Sequence, residues 1–208
     1  MTKAIHHVWL GANQIPQHEQ KFIKSWRTLH PDYNMQVWTD EDAKEFDIYM
    51  ELVDRCTCFA QKADVLRYCI IQKYGGIYTD TDIECIKPLD DMVEQADFFT
   101  GFEDPARRNM CNALFYAHQP NYEIVNRFCD EVKNANLEDP RVSLNTGPGF
   151  ITPIVRDYWG KEGYEKVFVF DREYFHPRSF HEPHIPLSKR ITDKTRTIHY
   201  WNGSWLKK

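Results

Sequence analysis

The sequence predicts an α/β protein built on a largely parallel sheet flanked by helices. Strand-like and helix-like segments alternate through the first fifty residues, a pattern typical of that layer architecture. A long apolar-striped helix then ends at Gly75-Gly76 and is followed at once by a short buried strand. The chain is 208 residues long, 42% hydrophobic and 14% aromatic, enough to bury a sizeable core within one domain spanning residues 1–208.

The elements follow in order. Lys3 to Leu10 carries β-branched and aromatic residues before Gly11, which reads as a first strand. Phe22, Ile23, Trp26 and Leu29 recur at helical spacing, so Gln17 to Leu29 is a helix stopped by Pro31. Met35 to Trp38 is a second strand. Asp40 to Val53 reads as one helix with Asp40 or Asp42 as its cap. Cys58 to Tyr74, striped by Ala63, Leu66, Ile70 and Ile71, is the best helix in the chain. Ile77 to Thr79 is a buried strand, Ile83 to Ile86 continues extended, and Pro88 turns the chain. Asp97 to Phe102 and Met110 to His118 are further strands, Asn121 to Val132 and Pro148 to Trp159 further helices. Short strands at Val167 to Phe170 and Thr197 to Trp201 sit in a Pro- and His-rich last third.

The bulk numbers exclude several classes. A net charge of −5 argues against nucleic acid as a partner. The opening residues lack a signal-peptide pattern, and no apolar run approaches a membrane span, so a cytoplasmic protein is expected, one that could work at a membrane surface. The six cysteines should be reduced. Cys56-Thr57-Cys58 has too short a spacer for the usual zinc knuckle.

Four segments carry chemistry. In Tyr74-Gly75-Gly76-Ile77-Tyr78-Thr79-Asp80-Thr81-Asp82, two carboxylates at i and i+2 on extended backbone would point the same way. They would repel each other unless a hard cation lay beside them. They also sit where an apolar strand ends, the edge at which α/β sheets bind ligands. Asp64 and Arg67 share a face of the preceding helix, so Arg67 can buttress Asp80 and Asp64 can accept hydrogen bonds from sugar hydroxyls. In His6-His7-Val8-Trp9-Leu10-Gly11, Trp9 is either a core residue or a platform for a flat ring, and the adjacent histidines face opposite ways and make no joint site. In His199-Tyr200-Trp201-Asn202-Gly203-Ser204-Trp205, His199 can ligate a metal, while Ser204 and Trp205 can donate to phosphate. This terminus is either a lid hinged at Gly203 or a strand packed permanently on the body.

Read together, these segments resemble glycosyltransferase family 32, the DXD-motif sugar transferases that include bacterial capsular-polysaccharide enzymes and yeast Golgi mannosyltransferases. The core is also similar to the clostridial glucosylating toxins. The likeness runs through residues 5–11, 24–33, 63–90, 146–148, 173–177 and 198–205, with 63–90 the most specific part. It implies a GT-A fold, manganese (Mn2+) or magnesium (Mg2+) as cofactor, and a nucleotide-sugar donor whose hexose is transferred with retention. Uridine diphosphate hexose is the first expectation for that donor and guanosine diphosphate mannose the second. The acceptor would be a glycan, a lipid-linked sugar or a protein, as in polysaccharide biosynthesis.

By the same likeness Trp9 stacks on the base, and Asp64, Arg67 and Asn112 hold the donor sugar. Asp80 contacts ribose or sugar and can join Asp82 and His199 at the metal, while Ser204 and Trp205 reach the diphosphate. The resemblance does not choose between double displacement and a front-side route. The alternatives are a non-catalytic sugar-binding module and a phosphatase of the haloacid dehalogenase class. Glu84 stands where the latter carries Thr or Val. Cys85 and Pro88 exclude an EF-hand loop.

Overall fold

A computed structural model describes residues 1–179, 182 and 185–202. The elements in chain order begin with β1 (Ala4–Val8), α1 (Gln17–Leu29), β2 (Asn34–Trp38), α2 (Asp47–Leu52) and α3 (Phe59–Tyr74). Then come β3 (Gly76–Thr79), β4 (Ile83–Cys85), α4 (Asp90–Gln95), β5 (Phe98–Phe102), β6 (Met110–Ala117) and α5 (Glu123–Val132). Last are α6 (Val142–Asn145), α7 (Pro148–Arg156), β7 (Val167–Phe170), α8 (Arg172–Phe175) and β8 (Thr197–His199).

Six strands form one sheet in the order β2-β1-β3-β6-β5-β7. β1 runs parallel to β2 and β3, and β5 parallel to β7; β6 alone runs against both of its neighbours. Its reversal follows from the seven-residue connection 103–109, too short for the crossover a parallel pair needs. Asp104 closes that connection by accepting backbone N–H groups from Ala106, Arg108 and Asn109.

Side-chain alternation splits the core in two. Val8, Tyr78, Phe98 and Phe115 face the cluster built with α3, α5 and α7. Ile5, Ile77, Phe99 and Leu114 face the one built with α1, α4 and α8. Covered on both faces, the strands read as continuous apolar runs. Helix α3 is buried almost all round, from Val65 to Ile71, which marks a core helix rather than an amphipathic surface one.

Gly75 and Gly76 end α3 for steric reasons. Their φ angles are +65° and +88°, and a Cβ would stand 2.7 Å from the Gln119 carbonyl carbon or 2.6 Å from the Ala4 oxygen. The chain therefore turns tightly into β3 and brings α3 close to the end of that strand.

One expected element is broken. Residues 40–53 form a 3-10 turn (Asp42–Glu45), α2, and the start of a second 3-10 turn (Val53–Arg55). Phe46 adopts extended backbone (φ −108°, ψ 103°) between them and packs edge-on against Trp38 at 5.4 Å. Burial of one aromatic side chain has overridden local helical preference. Asp42 accepts from Thr39, whereas Asp40 accepts the Gly11 N–H at 2.7 Å and ties down the loop after β1.

Candidate functional site

The carboxylates converge, by a different route from the one the sequence suggests. β3 stops at Thr79, although the Asp80 N–H continues its ladder to the Ala113 carbonyl at 2.9 Å. Asp80 to Asp82 then form a tight turn, with the Ile83 N–H donating to the Asp80 carbonyl at 3.3 Å. The carboxylates straddle this turn instead of alternating along a strand. Thr81 points inward, its hydroxyl donating to buried Glu19 at 2.5 Å.

The second sheet brings in the C-terminal segment. β8 pairs antiparallel with β4, placing His199 opposite Ile83. His199 Nε2 lies 3.2 Å from Asp82 Oδ1. The Tyr200 N–H donates to the Asp82 carbonyl at 3.0 Å, and the Asn202 N–H to Asp82 Oδ2 at 2.8 Å. The Asn202 amide also donates to Glu19 at 3.2 Å. Glu19 thus ties the turn and the C-terminal segment together from beneath. Residues 197–202 form a packed wall; Gly203, Ser204 and Trp205 lie outside the described residues.

Helix α3 supplies the cationic support. Arg67 Nη2 is 3.1 Å from Asp64 Oδ1 and 3.2 Å from Asp80 Oδ1. Arg67 Nη1 donates to the Asn112 carbonyl at 2.8 Å, and the guanidinium lies 4.5 Å over the Tyr78 ring. The Tyr78 hydroxyl donates to Asp80 at 2.6 Å. Asn112, at the same sheet edge, donates its side-chain amide to Asp64 Oδ1 at 2.7 Å, and Thr146 donates to Asp64 Oδ2 at 2.8 Å. With Oδ1 taken twice and Oδ2 once, Asp64 has room for about one more donor, since each carboxylate oxygen accepts about two.

Ionisation follows this geometry. Burial raises the Asp64 pKa to about 6 against the pull of Arg67. Burial also raises Asp80, opposed by Arg67 and reinforced by the Asp82 charge. In Asp82 burial works upward, but His199 and the Asn202 N–H bring the net value below the usual carboxylate range. Burial opposes the Arg67 charge, yet Asp80, Tyr78 and Asp64 hold its pKa above the ordinary value. The result is a preorganised array of fixed charges with one open side. Asp80 keeps 28% of its side chain exposed, against 6% for Arg67.

Donor atoms of Asp80, Asp82 and His199 lie within 4.8 Å of one another. Two carboxylates and an imidazole, on a turn held from behind, fit a hard or borderline divalent cation. Trp9 is half-buried and stands outside both core clusters, with its indole N–H donating to the Asn13 carbonyl at 2.6 Å. His6 and His7 face opposite ways, bonded to the carbonyls of Gly75 and Thr79, and burial lowers each pKa to about 4.

Tyr78, Thr146, Glu19 and Asn202 are the site residues that sequence reading missed. Tyr78 and Thr146 lie inside stretches already singled out, so their neighbourhood was a signal. Glu19 carried none.

The chain is similar to known glycosyltransferases in both sequence and fold. Residues 16–99 match the family model described as "Glycosyltransferase sugar-binding region containing DXD motif". The chain is 25% identical over 181 residues to an uncharacterised glycosyltransferase of Acanthamoeba polyphaga mimivirus, with 83% of this chain and 72% of that protein aligned. It is 29% identical over 184 residues to inositol phosphoceramide mannosyltransferase 3 of Schizosaccharomyces pombe, covering 84% of this chain and 51% of the relative. The chain therefore spans about half the length of that yeast relative.

Among solved structures, the PaToxG glycosyltransferase superposes with a TM-score of 0.61 at 19% identity, over 75% of this chain and 69% of that one. A glycosyltransferase involved in glycosylation of the major capsid of PBCV-1 gives 0.56 at 12% identity, over 99% and 96%. A mostly parallel sheet flanked by helices, with the acidic turn at its carboxyl edge, defines a protein of the GT-A fold. Over residues 16–99 the chain is similar to the DXD-motif sugar transferases.

Proposed function

We propose that this chain catalyses metal-dependent transfer of a hexose from a nucleotide-sugar donor, with retention of configuration, to a glycolipid or other glycan acceptor. The observation that carries the reading is the convergence of Asp80, Asp82 and His199 at the carboxyl edge of the sheet, backed by Arg67. The relatives' names favour mannose over the uridine diphosphate hexose that the sequence alone puts first. They also favour an inositol phosphoceramide-like acceptor, hence work at a membrane surface. No helix among the described residues is long and apolar enough to cross a membrane.

In this reading Asp80, Asp82 and His199 hold manganese or magnesium, which when bound supplies Lewis-acid neutralisation of the departing diphosphate. The protein's own contribution is positional. Trp9 offers a flat face to the base. Asp64, oriented by Asn112 and Thr146, accepts one sugar hydroxyl. Arg67 fixes Asp64 and Asp80 together and sets a buried positive charge beside the reacting centre, where a preorganised dipole or charge needs no rearrangement during reaction. Ser204 and Trp205 are assigned to the diphosphate by resemblance.

A thermal-shift screen of mannose and glucose nucleotides, with and without manganese, tests donor choice. Ligand binding raises apparent stability by mass action. The reading expects a manganese-dependent shift, largest with a mannose nucleotide. No shift with any nucleotide sugar would remove its basis.

A further inference from the structure

Behind the acidic turn lies a second group of donors that the transfer reading does not use. Cys111 on β6, His176 after α8 and His199 on β8 place one ligand atom each within 4.8 Å of one another. All three are buried, at 1%, 0% and 5% exposure. Among the described residues neither His176 nitrogen has a hydrogen-bond partner, and neither does His199 Nδ1. Leaving a buried polar group unpaired costs its full desolvation, and folded proteins rarely tolerate it without a reason. Two buried imidazoles with unpaired nitrogens, each offering one ligand atom beside the same thiol, call for an occupant.

We propose that Cys111, His176 and His199 form a second cation site, selective for a thiophilic divalent ion such as zinc, which shares His199 with the acidic turn. The donor set argues for zinc over manganese, because thiolate and imidazole are softer than the carboxylates next door. Zinc–sulfur and zinc–nitrogen bonds of about 2.3 and 2.0–2.1 Å would need only a modest contraction of this cluster. Binding replaces the Cys111 S–H bond by a sulfur–metal bond and releases the proton to solvent. Strand alternation keeps the two sites apart: Asn112 faces Asp64, while neighbouring Cys111 faces the other core cluster.

His199 couples the sites. Its Nε2 faces Asp82 Oδ1 at 3.2 Å, which leaves Nδ1 for the thiol–histidine side. A neutral imidazole has one N–H and one lone pair. With Nδ1 on zinc, Nε2–H donates to Asp82, the carboxylate–histidine–metal arrangement common at zinc centres. With Nε2 on the cation at the acidic turn, Nδ1 carries the proton and zinc loses a ligand. The two ions therefore exclude each other at His199, and zinc becomes an inhibitor that acts from behind the catalytic cation. This competition rests on the role proposed above for His199; the existence of the site does not.

The test uses cobalt(II) as a visible stand-in for zinc, titrated into the reduced, metal-free 208-residue chain. The expected result is a thiolate-to-cobalt charge-transfer band that is lost in Cys111→Ser and kept in Asp80→Asn. No band in the unsubstituted chain, or a band that persists in Cys111→Ser, overturns the site; so does loss of the band in Asp80→Asn. Chelator competition gives a second readout, with zinc affinity falling at least about tenfold in His176→Gln. Unchanged affinity there also counts against it. Inhibition is read separately: zinc should raise the manganese needed for half-maximal turnover in the unsubstituted chain and not in Cys111→Ser. A band without any turnover would sink the transfer reading and leave this one standing, and turnover without a band would do the reverse.

Discussion

Replacing Arg67 by Met should destabilise the fold, and the damage should grow with pH. The substitution keeps an apolar stem and removes two ion pairs at 3.1 and 3.2 Å, with the hydrogen bond to the Asn112 carbonyl. Removing one partner of a buried ion pair costs about 3–5 kcal/mol, because a charge is left uncompensated. Proton uptake limits that cost. Asp64 already has its pKa raised from 3.8 to about 6 with Arg67 in place, and Arg67 acts to lower it. Without Arg67 it must rise further, and Asp80 with it.

A folded-state pKa above the unfolded one stabilises below the unfolded value and loses that contribution as pH rises through the folded value. In the wild type the Asp64 contribution is used up just above about pH 6; in the variant it continues to decline at higher pH. Each pH unit is worth about 1.4 kcal/mol per group. From Asp64 alone the stability gap between the proteins should therefore widen by up to about 2–3 kcal/mol from pH 6 to pH 8. Urea unfolding at both pH values measures it. A gap below about 1 kcal/mol, or one that stays constant with pH, would refute the buried-charge argument.

Two other perturbations probe the neighbouring contacts. Trp9→Ala should weaken nucleoside diphosphate binding by about 1–3 kcal/mol, the usual worth of base stacking on an aromatic ring. Calorimetric titration showing wild-type affinity would take Trp9 out of the site. Glu19→Ala should cost about 1–3 kcal/mol of stability, because the Thr81 hydroxyl and the Asn202 amide lose their buried acceptor. It should also weaken manganese binding by about 10–100-fold, as loss of an outer contact typically does, and an unchanged manganese titration would show that the clamp does not shape the site.

What the sequence disclosed depended on how local each determinant was. Helix α1 spans Gln17–Leu29 as expected, since its stripe and the following Pro31 are contained within the segment. The strand at Val167–Phe170 was equally legible. The broken stretch at 40–53 was not, because Phe46 answers to Trp38 across the fold and not to its own neighbours. In the site, the Asp80 and Asp82 pair is legible from its spacing together with the Gly-Gly and the apolar strand before it, although a turn and not a strand makes the two converge. The partnership of His199 with Asp82 depends on pairing between β4 and β8, strands far apart in sequence. The resemblance makes Asn112 a contact to the donor sugar; in the structure its side-chain NH2 donates inward to Asp64, Tyr68 and the Thr146 carbonyl. Spacing shows which residues share a face, but not which hydrogen-bond positions the protein already fills.

The central claim is that Asp82, with His199 and Asp80, carries the cation on which sugar transfer depends. It is tested most directly by release of nucleoside diphosphate from a mannose nucleotide in the presence of manganese, compared between the wild type and Asp82→Asn. The amide keeps the shape of the side chain and can still accept from the Asn202 N–H, but it lacks the charge a cation ligand needs. Wild-type protein should turn over with manganese and stop with chelator. Asp82→Asn should lose about 100-fold or more, comparable to removing one group that stabilises developing charge, while still unfolding cooperatively. A folded Asp82→Asn protein with wild-type turnover at limiting manganese would contradict the account.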